Sequence, residues 1–185
     1  MAKRIGGPIL ELACGTGRVL LKLAEQGYEI VGIDATSEML DIANRKAREL
    51  GDEITNRITL HQGDIANFDL KRKFPLIIIP SSFKFNLTTE KQLECLESVK
   101  RHLDDGGIFI LDHYPSALKP VHDEWKQGPS KLSDGTKVSR TLTSHCDYSE
   151  QIQRFTAAYE IEFLNGVKDA FVTSNAQSLI FERER

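Results

Sequence analysis

At 185 residues the chain can form one domain that buries roughly 70% of the surface of its unfolded form, and a second full domain is not expected. Its 40% hydrophobic and 28% charged residues place it in the globular range and exclude a disordered chain. A net charge of −3, with the positive residues scattered among acids, excludes the basic face that a phosphate backbone requires, so no nucleic-acid partner is expected.

The first predicted element is the short apolar run from Pro8 to Leu12, which ends in a turn built on Gly15 and Gly17. An amphipathic helix from Val19 to Gln26 follows at once. Glycine suits such a turn because it accepts positive φ and lets the backbone approach a ligand. A second buried strand, Glu29 to Asp34, also ends in an acid. Thr36 or Ser37 can cap the next helix, in which Met39, Leu40, Ile42, Ala43, Ala47 and Leu50 recur near helical spacing before Gly51. Ile58 to Gln62 reads as a third strand and Leu76 to Ile79 as a fourth, apolar throughout as a strand covered on both faces should be. Thr89-Glu90-Lys91-Gln92 has the form of a capping box, opening a helix that carries Leu93, Leu96 and Val99 inward. Ile108 to Asp112 is the fifth strand. Alternation of this kind predicts an α/β fold, a Rossmann-like doubly wound parallel sheet.

The pattern changes at Tyr114. Pro115, Pro120, Gly128 and Pro129 punctuate an irregular linker around Trp125, the only tryptophan, which anchors the linker or stacks on a substrate. Beyond it the period becomes two, with Phe155, Ala157, Tyr159, Ile161 and Phe163 alternating with polar residues, and Asn165-Gly166 marks a hairpin. Lys137 to Cys146 before this run and Phe171 to Phe181 after it complete a three-stranded antiparallel meander. The expected organisation is a cofactor-binding core over residues 1–113, then a linker and meander over residues 114–185 of the same domain.

Cys14, Cys95 and Cys146 are odd in number and include no C-x-x-C pair, so no metal site is expected and the three read as reduced thiols. No apolar run reaches the roughly 18 residues of a membrane span, and no signal segment opens the chain. A cytoplasmic protein without a membrane partner is expected. His145 and Cys146, adjacent on a predicted strand, point to opposite faces and make no dyad.

Ligands of open α/β sheets bind at the carboxyl ends of the strands. A dinucleotide fingerprint needs a small residue where Leu20 stands, and a P-loop needs a Gly-Lys-Ser/Thr ending that is absent, so both readings are weakened. Asp34 can accept both ribose hydroxyls, or simply start a helix. Asp64 can accept from an exocyclic adenine amine while Ile65 covers the ring, or serve a surface turn. Glu11 can face a cationic ligand or tie down backbone amides.

Glu11 to Gly17, Val31 to Asp34, Gln62-Gly63-Asp64-Ile65, Ile78 to Ser82 and Leu103 to Gly107 stand in the order of the motifs of the class I S-adenosylmethionine-dependent methyltransferases, which the chain resembles over about residues 8–113. Ala13 stands where that family usually has its first glycine. The resemblance implies a sheet order of 3-2-1-4-5 and S-adenosylmethionine as cofactor. It places Ala13, Gly15 and Gly17 beside the methionine portion and Asp34 on the ribose, and it counts Glu11, Cys14, Ala35 and Met39 among the cofactor-binding residues. Asp64 and Ile65 fall on adenine, and Pro80 and Ser81 border the transferring methyl. The meander is similar to the insert of small-molecule members, including some sugar N-methyltransferases, and a small-molecule N or O nucleophile is the implied substrate. Lys84 and Asn86 are candidate substrate contacts, with Phe83 and Phe85 in core or lid packing. His113, beside the end of the fifth strand, is the candidate general base.

The chain also departs from the family pattern. Seven residues precede the first strand, Pro75 replaces a usual acid, and the family normally continues beyond the position of Arg185 with a helix and two strands. A module that binds S-adenosylmethionine but is catalytically incomplete, or an assembly subunit, is therefore the alternative reading. An NAD-dependent oxidoreductase ranks third because of Leu20. The departures also leave Ile108 to Leu111 as an apolar sheet edge, expected to be covered by the meander or by the second subunit of a homodimer.

Overall fold

Five strands form one all-parallel sheet in the order β3-β2-β1-β4-β5. They are β1 (Ile9–Leu12), β2 (Ile30–Asp34), β3 (Ile58–Gln62), β4 (Phe74–Ile79) and β5 (Leu103–Leu111). The computed structural model describes residues 6–112 and 122–178, which belong to two units, Met1–His113 and Tyr114–Arg185. In the first unit, α1 (Leu20–Glu25), α2 (Ser37–Glu49), the single turn α3 (Asp52–Thr55) and α4 (Thr89–His102) connect the strands. Ile9, Leu10, Leu12, Leu76, Ile77 and Ile79 in the inner strands β1 and β4 are at most 2% exposed, as parallel strands covered on both faces must be. No helix among the described residues is long and apolar enough to cross a membrane.

The helix α4 differs from its sequence reading. Its cap is Thr88, whose hydroxyl accepts the Lys91 N–H at 3.2 Å, rather than Thr89. The inward face carries Cys95, Ser98, Val99 and His102, while Leu93 and Leu96 are 56% and 38% exposed. Polar side chains can occupy that face because each finds a partner in the segment before β4. The Ser98 hydroxyl donates to the Ala66 carbonyl at 2.8 Å, and His102 Nε2 accepts the Leu70 N–H at 2.9 Å.

The second unit is an antiparallel sheet of four strands, not three, in the order β6-β7-β8-β9. These are β6 (His122–Lys131), β7 (Lys137–Asp147), β8 (Ile152–Glu162) and β9 (Lys168–Ser178). The extra strand β6 lies within the segment read as a linker, and Trp125 lies opposite Leu142 in it. Its polar sequence hid it, and Pro129 is tolerated because it falls at a register shift between Gln127 and Ser130 on an outer strand. The Asn165-Gly166 hairpin joins β8 to β9, with the Val167 N–H on Asn165 Oδ1 at 3.0 Å. Asp134-Gly135 repeats the device between β6 and β7, with the Thr136 N–H on Asp134 Oδ1 at 2.9 Å. His145 is exposed and Cys146 buried, on opposite faces.

Candidate functional site

Strand β1 runs directly into a turn in which Ala13, Gly15 and Gly17 have φ of 54°, 54° and 82°. The Cys14 N–H extends the sheet to the Ile33 carbonyl at 3.0 Å, and the Gly17 N–H returns to the Cys14 carbonyl at 3.0 Å. Asp34, at the end of β2, ties the turn from the side: one carboxylate oxygen accepts the Gly15 N–H at 2.8 Å and the other the Thr36 N–H at 3.0 Å. Lys46 on α2 holds it from above, donating to the Thr16 carbonyl at 3.3 Å and hydroxyl at 3.2 Å. The Lys46 contact was not anticipated from the sequence, where a lysine on a helix face carries no distinguishing signal.

The two glycines do different work. A Cβ on Gly15 would meet nothing within 4 Å, so the turn faces open space there. One on Gly17 would press on Leu21 at 3.1 Å and Ala43 at 3.3 Å, so Gly17 also lets α1 and α2 pack. Ala13 bears a left-handed conformation that L-residues adopt at a cost of about 1 kcal/mol. Ala13→Gly should raise stability by up to about 1 kcal/mol, read as a higher thermal midpoint, and an unchanged or lower midpoint would mean that the turn is not strained at this position.

Cys14 contributes backbone only. Its thiol is buried against Gly32, and burial, followed by the nearby charges of Glu11 and Asp34, pushes its pKa up to about 12, so it stays protonated. Glu11 is 3% exposed, and its Oε2 has no hydrogen-bond partner. Burial raises its pKa to about 8 against the opposing pull of Arg18 and the Leu20 N–H. A buried acid with an unused oxygen at the root of a glycine turn has the chemistry to accept from a donor or to face a cation.

The neighbouring strands end at the same edge of the sheet, since Glu11 is level with Gly32 and Ile78, Asp34 with Gln62, and Ile79 with Leu111. After β3, Asp64 Oδ1 accepts the Ala66 N–H at 2.8 Å while Oδ2 lies 3.8 Å from Lys91 Nζ. Ile65 beside it is half-buried, and Ala35 and Met39 are exposed after β2. After β4, Pro80 and Ser81 are half-buried, and Asp112 accepts both the N–H and the hydroxyl of Ser81. Lys84 extends over the Phe85 ring at 5.7 Å. Phe83 is buried and Phe85 is 47% exposed. Asn86 is buried, and its amide donates to the Phe83 carbonyl at 3.1 Å, so it braces the turn from within. His113 lies outside the described residues.

The residues present fit a nucleoside carrying a cationic amino-acid tail. Both oxygens of Asp34 and Oδ1 of Asp64 keep acceptor capacity beyond the one backbone N–H each holds, Gly15 faces open space, and Glu11 Oε2 is unused.

Comparison with known proteins gives the same picture. Residues 9–107, more than half of the chain, match the family described as "Methyltransferase domain". The chain is 29% identical over 139 residues to the dTDP-3-amino-3,4,6-trideoxy-alpha-D-glucopyranose N,N-dimethyltransferase of Streptomyces venezuelae, covering 74% of this chain and 54% of that one. It is 26% identical over 183 residues to the dTDP-3-amino-3,6-dideoxy-alpha-D-glucopyranose N,N-dimethyltransferase of Streptomyces fradiae, covering 96% and 65%. The fold matches the crystal structure of the sugar N-methyltransferase KedS8 from Streptoalloteichus with a TM-score of 0.78 at 24% identity, over 96% of this chain and 68% of that one. The chain thus spans between half and two thirds of the length of these two curated relatives. On the glycine turn, the two acids at the ends of β2 and β3 and this match, the chain belongs to the methyltransferase-domain family, in its S-adenosylmethionine-dependent class I branch.

Proposed function

We propose that this chain transfers a methyl group from S-adenosylmethionine to a small-molecule nitrogen or oxygen, with the amine of a nucleotide-linked amino sugar as the favoured acceptor. The observation that carries this reading is Asp34, whose carboxylate binds the glycine turn through the Gly15 N–H and so couples the end of β2 to the end of β1. The sugar amine comes from the two dimethyltransferase relatives named above. Bound S-adenosylmethionine supplies a methyl on a cationic sulfur, an already activated leaving group. The protein then has to bind, orient and exclude water.

In this reading Ala13, Cys14, Gly15 and Gly17 present backbone to the methionine portion, and Glu11 Oε2 faces its positive charge. Asp34 takes the ribose hydroxyls, with Ala35 and Met39 alongside, and Asp64 and Ile65 take the adenine. Pro80 and Ser81 border the reacting methyl, Lys84 and Asn86 belong to the acceptor side, and His113 removes the acceptor proton. We also propose that the enzyme is cytoplasmic and that the second subunit of a homodimer, rather than the chain's own meander, covers the apolar edge Ile108 to Leu111. Light scattering tests the last point, and a strictly monomeric protein at assay concentration would rule it out.

Calorimetric titration with S-adenosylhomocysteine tests the core of the proposal. Saturable binding is expected; no heat up to high micromolar ligand, together with binding of NAD, would sink it. Asp34→Ala should weaken that binding by about 1.5–3 kcal/mol, the range for hydrogen bonds to a charged group, and Asp64→Asn by less, because the amide keeps an acceptor oxygen. An unchanged dissociation constant in Asp34→Ala would place the ribose elsewhere.

A further inference from the structure

The ladder between β4 and β5 ends with Ile79 opposite Leu111. Just past that point Ser81 takes φ 59°, a conformation that a non-glycine residue keeps only where its surroundings impose it. What imposes it is Asp112, the residue after β5. Its two carboxylate oxygens accept the Ser81 backbone N–H and the Ser81 hydroxyl, the latter at 3.0 Å, so both donors of Ser81 are fixed by one side chain 31 positions away.

The segment that starts at Ser81 is held again at its far end. Ser82 Oγ donates to the Pro80 carbonyl at 3.1 Å, and the 3-10 turn Phe83–Phe85 buries Phe83. Asn86 closes that turn, and its carbonyl accepts from Gln92 Nε2 on α4 at 3.0 Å. The far end is therefore fixed by α4 and the near end by Asp112. Between them stands Lys84, beside the exposed face of Phe85. On the cofactor side, Asp34 ends β2 and Asp64 follows β3, where it lies 3.8 Å from Lys91 Nζ on α4, whereas the hydrogen bonds of Asp112 run to Ser81.

We propose that Asp112 is a positioning residue for the methyl acceptor: by fixing Ser81 it sets the wall of residues 80–86 against which the acceptor lies, without contributing to cofactor affinity. This rests on the methyltransferase reading, in which Pro80 and Ser81 border the reacting methyl. An acceptor wall displaced by a fraction of an ångström loses turnover, whereas a cofactor held from other strands does not. Asp112→Asn keeps an acceptor oxygen for the Ser81 N–H, and the Ser81 hydroxyl can turn to accept from the new amide. Asp112→Ala removes both partners. Ser81→Gly placed in that background removes the need for a clamp, because glycine takes positive φ unaided.

The test measures three quantities on the full chain: the dissociation constant for S-adenosylhomocysteine, amide exchange over residues 81–86, and kcat and KM on a panel of dTDP-linked amino sugars. Asp112→Ala should leave the dissociation constant within about twofold, speed exchange over 81–86 by about tenfold or more, and lower kcat/KM for the acceptor by at least about tenfold. Both Asp112→Asn and Asp112→Ala with Ser81→Gly should recover most of that loss. Exchange unchanged in Asp112→Ala, or cofactor affinity falling in step with turnover, would overturn the proposal. Failure of the unaltered protein to bind S-adenosylhomocysteine would instead refute the methyltransferase reading, so the two failures are told apart by the first measurement.

Discussion

Replacing Gly32 with alanine should destabilise the first unit by about 2–3 kcal/mol, and valine there should cost more. Gly32 lies in the middle of β2, level with Glu11 on one side and Leu60 on the other. A Cβ built on it would sit 2.5 Å from Leu20 Cδ1, 2.8 Å from the Cys14 sulfur and 3.0 Å from Leu60 Cδ2. Those atoms are ends of side chains, which normally yield, but Leu20 is 0% exposed and Cys14 is 4% exposed, so neither has free space to move into. The cost therefore comes from overpacking and not from backbone conformation. Leu20→Ala combined with Gly32→Ala should be less destabilised than the sum of the two single variants, because the new methyl enters the space vacated by the leucine. All four α-helices among the described residues lie in the first unit, so the helical circular-dichroism signal followed in urea reports this unit alone. Additive single and double variants would show that the two side chains do not compete for one space.

Gly32 also explains where the sequence reading was right for an incomplete reason. Leu20 counted against a dinucleotide site, since a bulky residue there prevents close helix–strand packing. In the folded chain the packing is close after all, because the missing bulk is on the strand at Gly32 instead of on the helix. What distinguishes the site is the pair of acids that end β2 and close the turn after β3. Those acids, the glycine turn and the strands themselves were legible because each is local, an apolar run, a turn residue and a charge within a few positions, whereas the strand order came only from the resemblance to the methyltransferases. The inward face of α4 was misread because Ser98 and His102 look like surface residues until the carbonyl of Ala66 and the N–H of Leu70 are brought to them across the fold. Strand β6 was hidden for a related reason, its stability residing in a ladder to β7 and not in its own hydrophobicity. Nothing in the sequence marks Ser81 as left-handed or pairs it with Asp112, since that contact exists only once β4 and β5 are neighbours.

The stability of the first unit should fall as pH rises from about 4.5 to 8, and Glu11→Gln should abolish most of that slope. Glu11 titrates near 4.5 when unfolded and near 8 when folded, because burial penalises its charge more than Arg18 and the Leu20 N–H favour it. Between those two values the native state holds one proton more than the unfolded state. Raising pH there favours unfolding, and above pH 8 the contribution is level because both states are ionised. Glutamine cannot ionise, so the variant gains on the natural chain through this window and exceeds it at pH 9 by about 3–5 kcal/mol, less whatever the added amide N–H costs if it too lacks a partner. At pH 5 the two should be close. Urea unfolding followed by the helical signal at pH 5, 7 and 9 measures the difference directly, and parallel stability profiles for the two proteins would refute the assignment. Saturating S-adenosylhomocysteine adds a second arm. If its ammonium faces Glu11 Oε2, the carboxylate is favoured in the complex and the slope of the natural chain should flatten, whereas a slope that keeps its full steepness with ligand bound would place the ammonium elsewhere.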